Sequence, residues 1–287
     1  MTKKILVNYT GGYSGNFLCS LLSEALNTKD AMYEDKSNNS FEFTSAGVHT
    51  MFVKPFGKIF QIHNKTIKRE DLNKIRDFKL DQFYTYVNKL YDFLYDEDEE
   101  VFIDNVKQYY DYLMSGLTED YFICGIHYAF QYKNLSIHDV FKDTTVLHLY
   151  TDNKRYGRYF TLLLYHKTRN AKADHILQST DRKNGGMYGD VIDPPLPVVK
   201  DPKSIAVDIG RITFGRDYEH LLEVEDRLSR DLGVNVTLNR KRLSDYTDRN
   251  EAIIIDILGK DYESQTDRVQ IKKSLSYIND CVKYNER

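Results

Sequence analysis

The sequence predicts an α/β fold with three layers, in which a mostly parallel sheet lies between helices and carries a helical insertion. Two observations lead there. Strand–loop–helix units occur twice, at Lys3 to Leu26 and at Thr144 to Thr168. The strands within them, Lys3-Lys4-Ile5-Leu6-Val7-Asn8-Tyr9 and Thr144-Thr145-Val146-Leu147-His148-Leu149-Tyr150, are apolar enough to be buried on both faces, the mark of a parallel sheet covered by helices. In such sheets ligands sit at the carboxyl ends of the strands.

The first unit is the centre of the chain. After the strand comes Thr10-Gly11-Gly12-Tyr13-Ser14-Gly15-Asn16, and Phe17, Leu18, Leu21, Leu22 and Ala25 then fall on one helical face. A glycine turn opening a helix lets backbone N–H groups converge on an anion, with the helix dipole in support. The turn matches neither G-x-x-x-x-G-K-[ST] nor G-x-G-x-x-G, and it has no lysine to reach a terminal phosphate. A phosphate cradle and an ordinary strand–helix connection both remain open at this point.

Down the chain, Asn27 to Ser45 is polar and reads as a loop, and Val48 to Ile62 reads as a hairpin around Lys54-Pro55-Phe56-Gly57-Lys58. Residues 65–117 carry apolar positions at helical spacing and form the insertion, interrupted by the acidic run Asp96-Glu97-Asp98-Glu99-Glu100, a solvated helix boundary. Tyr121 to Tyr128 reads as a strand and, beyond a short helix, Thr144 to Tyr150 as another. Arg155 to Thr168 is helical and Arg169 to Lys200 loop-like, with Gly185-Gly186 and Asp193-Pro194-Pro195 inside it. Ser204 to Ile209 is a strand, Asp217 to Leu232 an amphipathic helix stopped at Gly233, and C-terminal helices occupy about 243–283. With no repeat and no clear linker, residues 1–287 are expected to form one domain.

Composition bounds the function. Forty basic against 43 acidic side chains give a net charge of -3, so no global field favours nucleic acid or a membrane surface. Cys19, Cys124 and Cys281 are odd in number and widely spaced, which fits a reducing compartment rather than a disulfide framework or a zinc site. The apolar run after Met1-Thr2-Lys3-Lys4 is too short for a signal peptide, and no stretch could span a bilayer, so a cytoplasmic location is expected. No metal is expected either, since no His or carboxylate pair stands at ligand spacing. Twenty-three tyrosines without a tryptophan reflect codon bias rather than a binding surface.

Four pieces together carry a family resemblance: Ser14-Gly15-Asn16-Phe17-Leu18, Ile123-Cys124-Gly125-Ile126-His127, the segment Val146 to Asn153, and the closing stretch Ile205 to Gly233. They resemble the sulfotransferase-like branch of the P-loop fold. That resemblance implies a P-loop-like domain and 3′-phosphoadenosine 5′-phosphosulfate as sulfate donor. It also implies sulfuryl transfer to a hydroxyl of a glycan or small-molecule acceptor. It assigns Gly11, Gly12, Tyr13, Ser14, Gly15, Asn16 and Phe17 to the 5′-phosphosulfate, and Lys154 and Arg155 to the 3′-phosphate. His127 is the candidate catalytic base, because an imidazole titrates near working pH; a strand-end histidine bonded to the backbone is the alternative. Tyr13 stands where the family carries Lys or Arg, a cation that stabilises charge on the donor's bridging oxygen. Two further readings therefore stand beside sulfuryl transfer: a kinase-like phosphoryl transferase, and a nucleotide-binding or structural protein that keeps the fold without turnover.

Overall fold

A computed structural model describes residues 3–9, 14–27, 32–35, 40–43, 120–126, 138, 143–170 and 203–285. The expected hairpin at 48–62, the insertion at 65–117 and the loop at 171–200 lie outside the described residues, as does the short helix expected after residue 128 except for His138.

The architecture is α/β. Strand β1 (Lys3–Asn8) leads to helix α1 (Gly15–Ala25), and β4 (Tyr121–Ile126) and β5 (Thr144–Tyr150) follow a small β2–β3 pair (Met32–Asp35 and Ser40–Phe43). Then come α2 (Lys154–Asn170), β6 (Ile205–Asp208), α3 (Ile209–Thr213), α4 (Tyr218–Leu232), α5 (Arg240–Leu258) and α6 (Asp267–Asn285). Four strands form one sheet in the order β4-β1-β5-β6, and every neighbour in it is parallel.

That order fixes where a ligand can sit. The chain passes from β1 to β4 on one side, then crosses β1 to β5 and continues outward to β6. The direction of winding therefore reverses between β1 and β5. In open parallel sheets the loops leaving the carboxyl ends at such a reversal splay apart and leave a crevice. Here those loops follow Asn8 and Tyr150.

The strands were legible because they are buried. Ile5 and Val7 of β1, Leu147 and Leu149 of β5, and Ile205 and Val207 of β6 alternate onto one face and enter a single core with the helices. Leu6 and Val146, of the opposite alternation, are each 1% exposed. Burying each such aliphatic side chain contributes about 1.5–3 kcal/mol, so shifting the register by one residue is strongly disfavoured. Helix α1 packs on β1 and β4, α4 packs on β5 and β6, and α5 and α6 pack on α2.

Helix ends follow the capping residues. Asp217 starts α4 by accepting from the His220 amide at 2.9 Å, and Gly233 ends it in the left-handed region at φ 63°. Asn239 starts α5 by accepting from the Arg242 amide at 3.0 Å. Two expectations need correction. The stretch Asn27 to Ser45, read as a polar loop, contains the antiparallel pair β2–β3. Its apolar residues, Met32-Tyr33 and Phe41 with Phe43, flank the polar centre instead of alternating through it, so the strand period was hidden in a short window. Arg169 and Asn170, assigned to the following loop, close α2.

Candidate functional site

At the carboxyl end of β1, Ser14 is the N-cap of α1 and takes a left-handed conformation, φ 57° and ψ 19°. A serine at this position ordinarily turns its hydroxyl onto the amides of the first helical turn. Ser14 does not: it makes no side-chain cap, and its hydroxyl pairs instead with the Tyr246 hydroxyl of α5 at 2.8 Å. The first turn also carries no acidic side chain, so no carboxylate of that turn offsets the partial positive charge of the helix start. Tyr246 is fixed in turn by stacking on Phe17, with ring centroids 3.8 Å apart at 12°.

The start of α1 is braced on both sides. The Tyr9 hydroxyl donates to Asn16, and its ring packs so closely on Gly15 that a Cβ there would come within 2.1 Å of a ring carbon. Further along, Arg242 of α5 donates to the Ser20 hydroxyl at 2.6 Å and pairs with Glu24, while Asn239 donates to Glu24 at 2.6 Å. Partial burial raises the Glu24 carboxyl, but the Arg242 and Asn239 hydrogen bonds outweigh it and hold the group below its ordinary value. Between the two central strands, Asn8 Nδ2 donates to His148 Nδ1 at 3.1 Å. Asn8 and His148 are register partners, so this buried pair ties β1 to β5 at the reversal point.

The loop after β5 opens onto a second feature, a cleft of about 690 Å³ at the carboxyl ends of β5 and β6. Asp152, Lys154, Tyr156, Asp208, Arg211 and Asp217 line it. Three carboxylates face two cations there, and one cation, Arg211, is engaged by Asp217 at 2.5 Å. This pair shifts both partners. The hydrogen bond it donates to Asp217 raises the Arg211 guanidinium. The Asp217 carboxyl is lowered first by the His220 amide and then by Arg211. Burial, reinforced by Asp208 and Glu263, raises the Tyr156 phenol. Burial also raises the Tyr150 phenol, with Asp152 and Asp208 adding to it. The electrostatics of the cleft are thus acidic.

The sequence-derived candidates divide into three sets. Gly11, Gly12, Tyr13 and His127 lie outside the described residues. Ser14, Gly15, Asn16 and Phe17 stand together at the start of α1. Lys154 and Arg155 open α2 and face different surroundings. Lys154 is exposed and borders the cleft. Arg155 donates to Asp267 Oδ1 at 3.0 Å, to the Glu263 carbonyl at 3.0 Å and to the Gln265 carbonyl at 3.3 Å, so its guanidinium clamps the α5–α6 connection. Elsewhere, His166 Nδ1 meets the Tyr277 hydroxyl at 2.8 Å, and Arg240 forms a two-pronged pair with the buried Glu225 at 2.6 Å.

Sequence reasoning missed Tyr246 and Asp208. Tyr246 carries no local signal, because its partner Ser14 is 232 residues away. Asp208 did carry one: it ends the apolar run Ile205-Ala206-Val207 at the carboxyl end of a buried strand. No protein-family model matches the chain, and no curated protein or solved structure shows significant similarity to it.

Proposed function

We propose that this chain binds a phosphorylated nucleotide, with a phosphate seated on the turn between β1 and α1, as in a P-loop-like domain. The observation that carries this reading is Ser14: a left-handed N-cap whose hydroxyl is drawn away to Tyr246, at the strand end beside the reversal of winding. Backbone amides at such a helix start are oriented donors for phosphate oxygens.

Sulfuryl transfer from 3′-phosphoadenosine 5′-phosphosulfate is the activity that the resemblance attaches to this turn, and the two ends of that donor fare differently. The start of α1 suits its 5′-phosphosulfate. Residues 152–155 do not suit its 3′-phosphate. Arg155 is engaged by Asp267 and two carbonyls, and Lys154 borders a cleft with more carboxylates than cations. Nucleotide binding is therefore the function put forward, with sulfuryl transfer as the activity to be assayed on it. Binding without turnover is the second reading, favoured by the engagement of Arg155.

A thermal-shift comparison on the full chain tests the proposal, using adenosine 3′,5′-bisphosphate, ATP, GTP and buffer. A ligand at about 100 times its Kd stabilises the folded state by about 2.7 kcal/mol, so at least one nucleotide is expected to raise Tm by about 5 °C or more. If all three leave Tm unchanged at millimolar concentration, the turn is a structural connection and the proposal falls.

A further inference from the structure

His220 of α4 is buried, and its imidazole holds the end of β6. The backbone amide of Asp208 donates to its Nε2 at 3.0 Å, and its Nδ1 lies 3.2 Å from Glu223 Oε2. A peptide N–H is a donor and nothing else, so Nε2 must present a lone pair. A carboxylate accepts, so the proton of the neutral ring sits on Nδ1. The tautomer is thus set by a donor that cannot change its role.

That hydrogen bond ties down the corner where β6 turns into α3. Asp208 ends β6 and is the N-cap of α3, its Oδ1 accepting from the Arg211 amide at 3.0 Å. Ile209 and Ile212 of α3 enter the core, and Gly210 packs closely on Thr151 and Tyr156. Asp208, Arg211 and Asp217 from the same corner line the cleft. Charges surround the ring from every side. On the start of α4 stand Asp217, which accepts from the His220 amide at 2.9 Å, with Glu219 and Glu223. Strand β6 brings Asp208, and α3 brings Arg211, already engaged by Asp217. Strand β5 brings Tyr150, the register partner of Asp208. Carboxylates outnumber cations here, so the local field favours a positive charge on the ring. Yet the nitrogen that would take the proton faces an N–H.

We propose that His220 is a proton-operated latch on the β6–α3 corner. In mild acid a solvent proton adds to the Nε2 lone pair, giving an imidazolium with an N–H at both nitrogens. Nε2 then meets the Asp208 amide donor to donor. The hydrogen bond is lost, the corner is released from α4, and the cleft wall that it carries is reshaped. Raising the pH removes the proton and restores the bond. The latch is independent of what the chain binds.

Nuclear magnetic resonance on the nitrogen-15-labelled full chain tests it. The readouts are the His220 ring-nitrogen shifts and the exchange protection of the Asp208 amide, followed from about pH 7.5 to about pH 5, the interval of ordinary imidazole titration. A neutral ring protonated on Nδ1 is expected at the upper end. As the ring gains its second proton, the Asp208 protection factor, corrected for intrinsic exchange, is expected to fall about tenfold, the worth of one hydrogen bond. In His220→Gln the side-chain oxygen replaces the Nε2 acceptor without titrating, so the protection is expected to stay constant. A neutral ring with its proton on Nε2 overturns the proposal. So does a ring still neutral at the lower end, or a protonated ring beside an Asp208 amide of unchanged protection. These three readings come from the unmodified chain, so the proposal stays testable if the variant does not fold. The same fall in protection in a folded His220→Gln variant also overturns it, by placing the titrating group elsewhere.

Discussion

Arg158→Ala is expected to lower the stability of the protein by about 3 kcal/mol or more, a fall in Tm of about 6–12 °C. Arg158 is 2% exposed and among the largest fully buried side chains. It donates to Gln270 Oε1 at 2.7 Å, and Asp267 Oδ1 lies 3.6 Å away. Burial depresses the guanidinium pKa, and the charge and hydrogen bond of Asp267 offset part of that. Gln270, itself 0% exposed, passes the network on by donating to the Tyr262 carbonyl at 2.5 Å. Removing the arginine leaves a cavity between α2 and α6 and a buried amide oxygen without this partner. The comparison variant is Arg155→Ala. Its side chain is 37% exposed and pairs with an Asp267 that is 62% exposed, so solvent screening limits the expected loss to about 1 kcal/mol or less. Circular-dichroism melts of the two variants check the account. Equal Tm values for both would show that the buried network between α2 and α6 does not hold these helices together.

The second large effect is expected at Gly15. A methyl group there would occupy the space of the Tyr9 ring, and Tyr9 is 3% exposed and bonded to Asn16. The ring has nowhere to turn without uncovering the core. Gly15→Ala is expected to cost about 1–3 kcal/mol by overpacking and to displace the first turn of α1, abolishing nucleotide binding. Tyr9→Ala combined with Gly15→Ala removes every ring atom in the way, and its loss of stability is expected to fall short of the sum of the two single losses, since contacting residues couple. A single Gly15→Ala variant with unchanged Tm and unchanged ligand affinity would refute this packing. The glycine therefore has a packing reason here besides any approach of a phosphate.

What the sequence made legible was whatever depended on neighbours in the chain. The strands at Lys3, Tyr121, Thr144 and Ile205 follow from short apolar runs, and α4 from its periodicity, from Asp217 and from Gly233. Ser14 to Phe17 at the start of α1 were found through glycine spacing. What escaped depended on distance. Tyr246 reaches Ser14 only because α5 folds back onto α1, tied by Arg242 and Asn239 to Glu24. Arg155, an exposed cation on a helical pattern, looked available for phosphate until the α5–α6 connection closed over it. The acidity of the cleft needed β5 and β6 side by side, since Asp152 and Asp208 are far apart in sequence. Local periodicity carries no information about such meetings.

The most direct measurement of the central claim is hydrogen–deuterium exchange on the full chain with and without the tightest-binding nucleotide of the panel. Slowed exchange is predicted in peptides covering Tyr9 to Ser20, where the proposal seats a phosphate. Unchanged exchange across Tyr9 to Ser20, with protection confined elsewhere, would contradict a phosphate site at the β1–α1 turn.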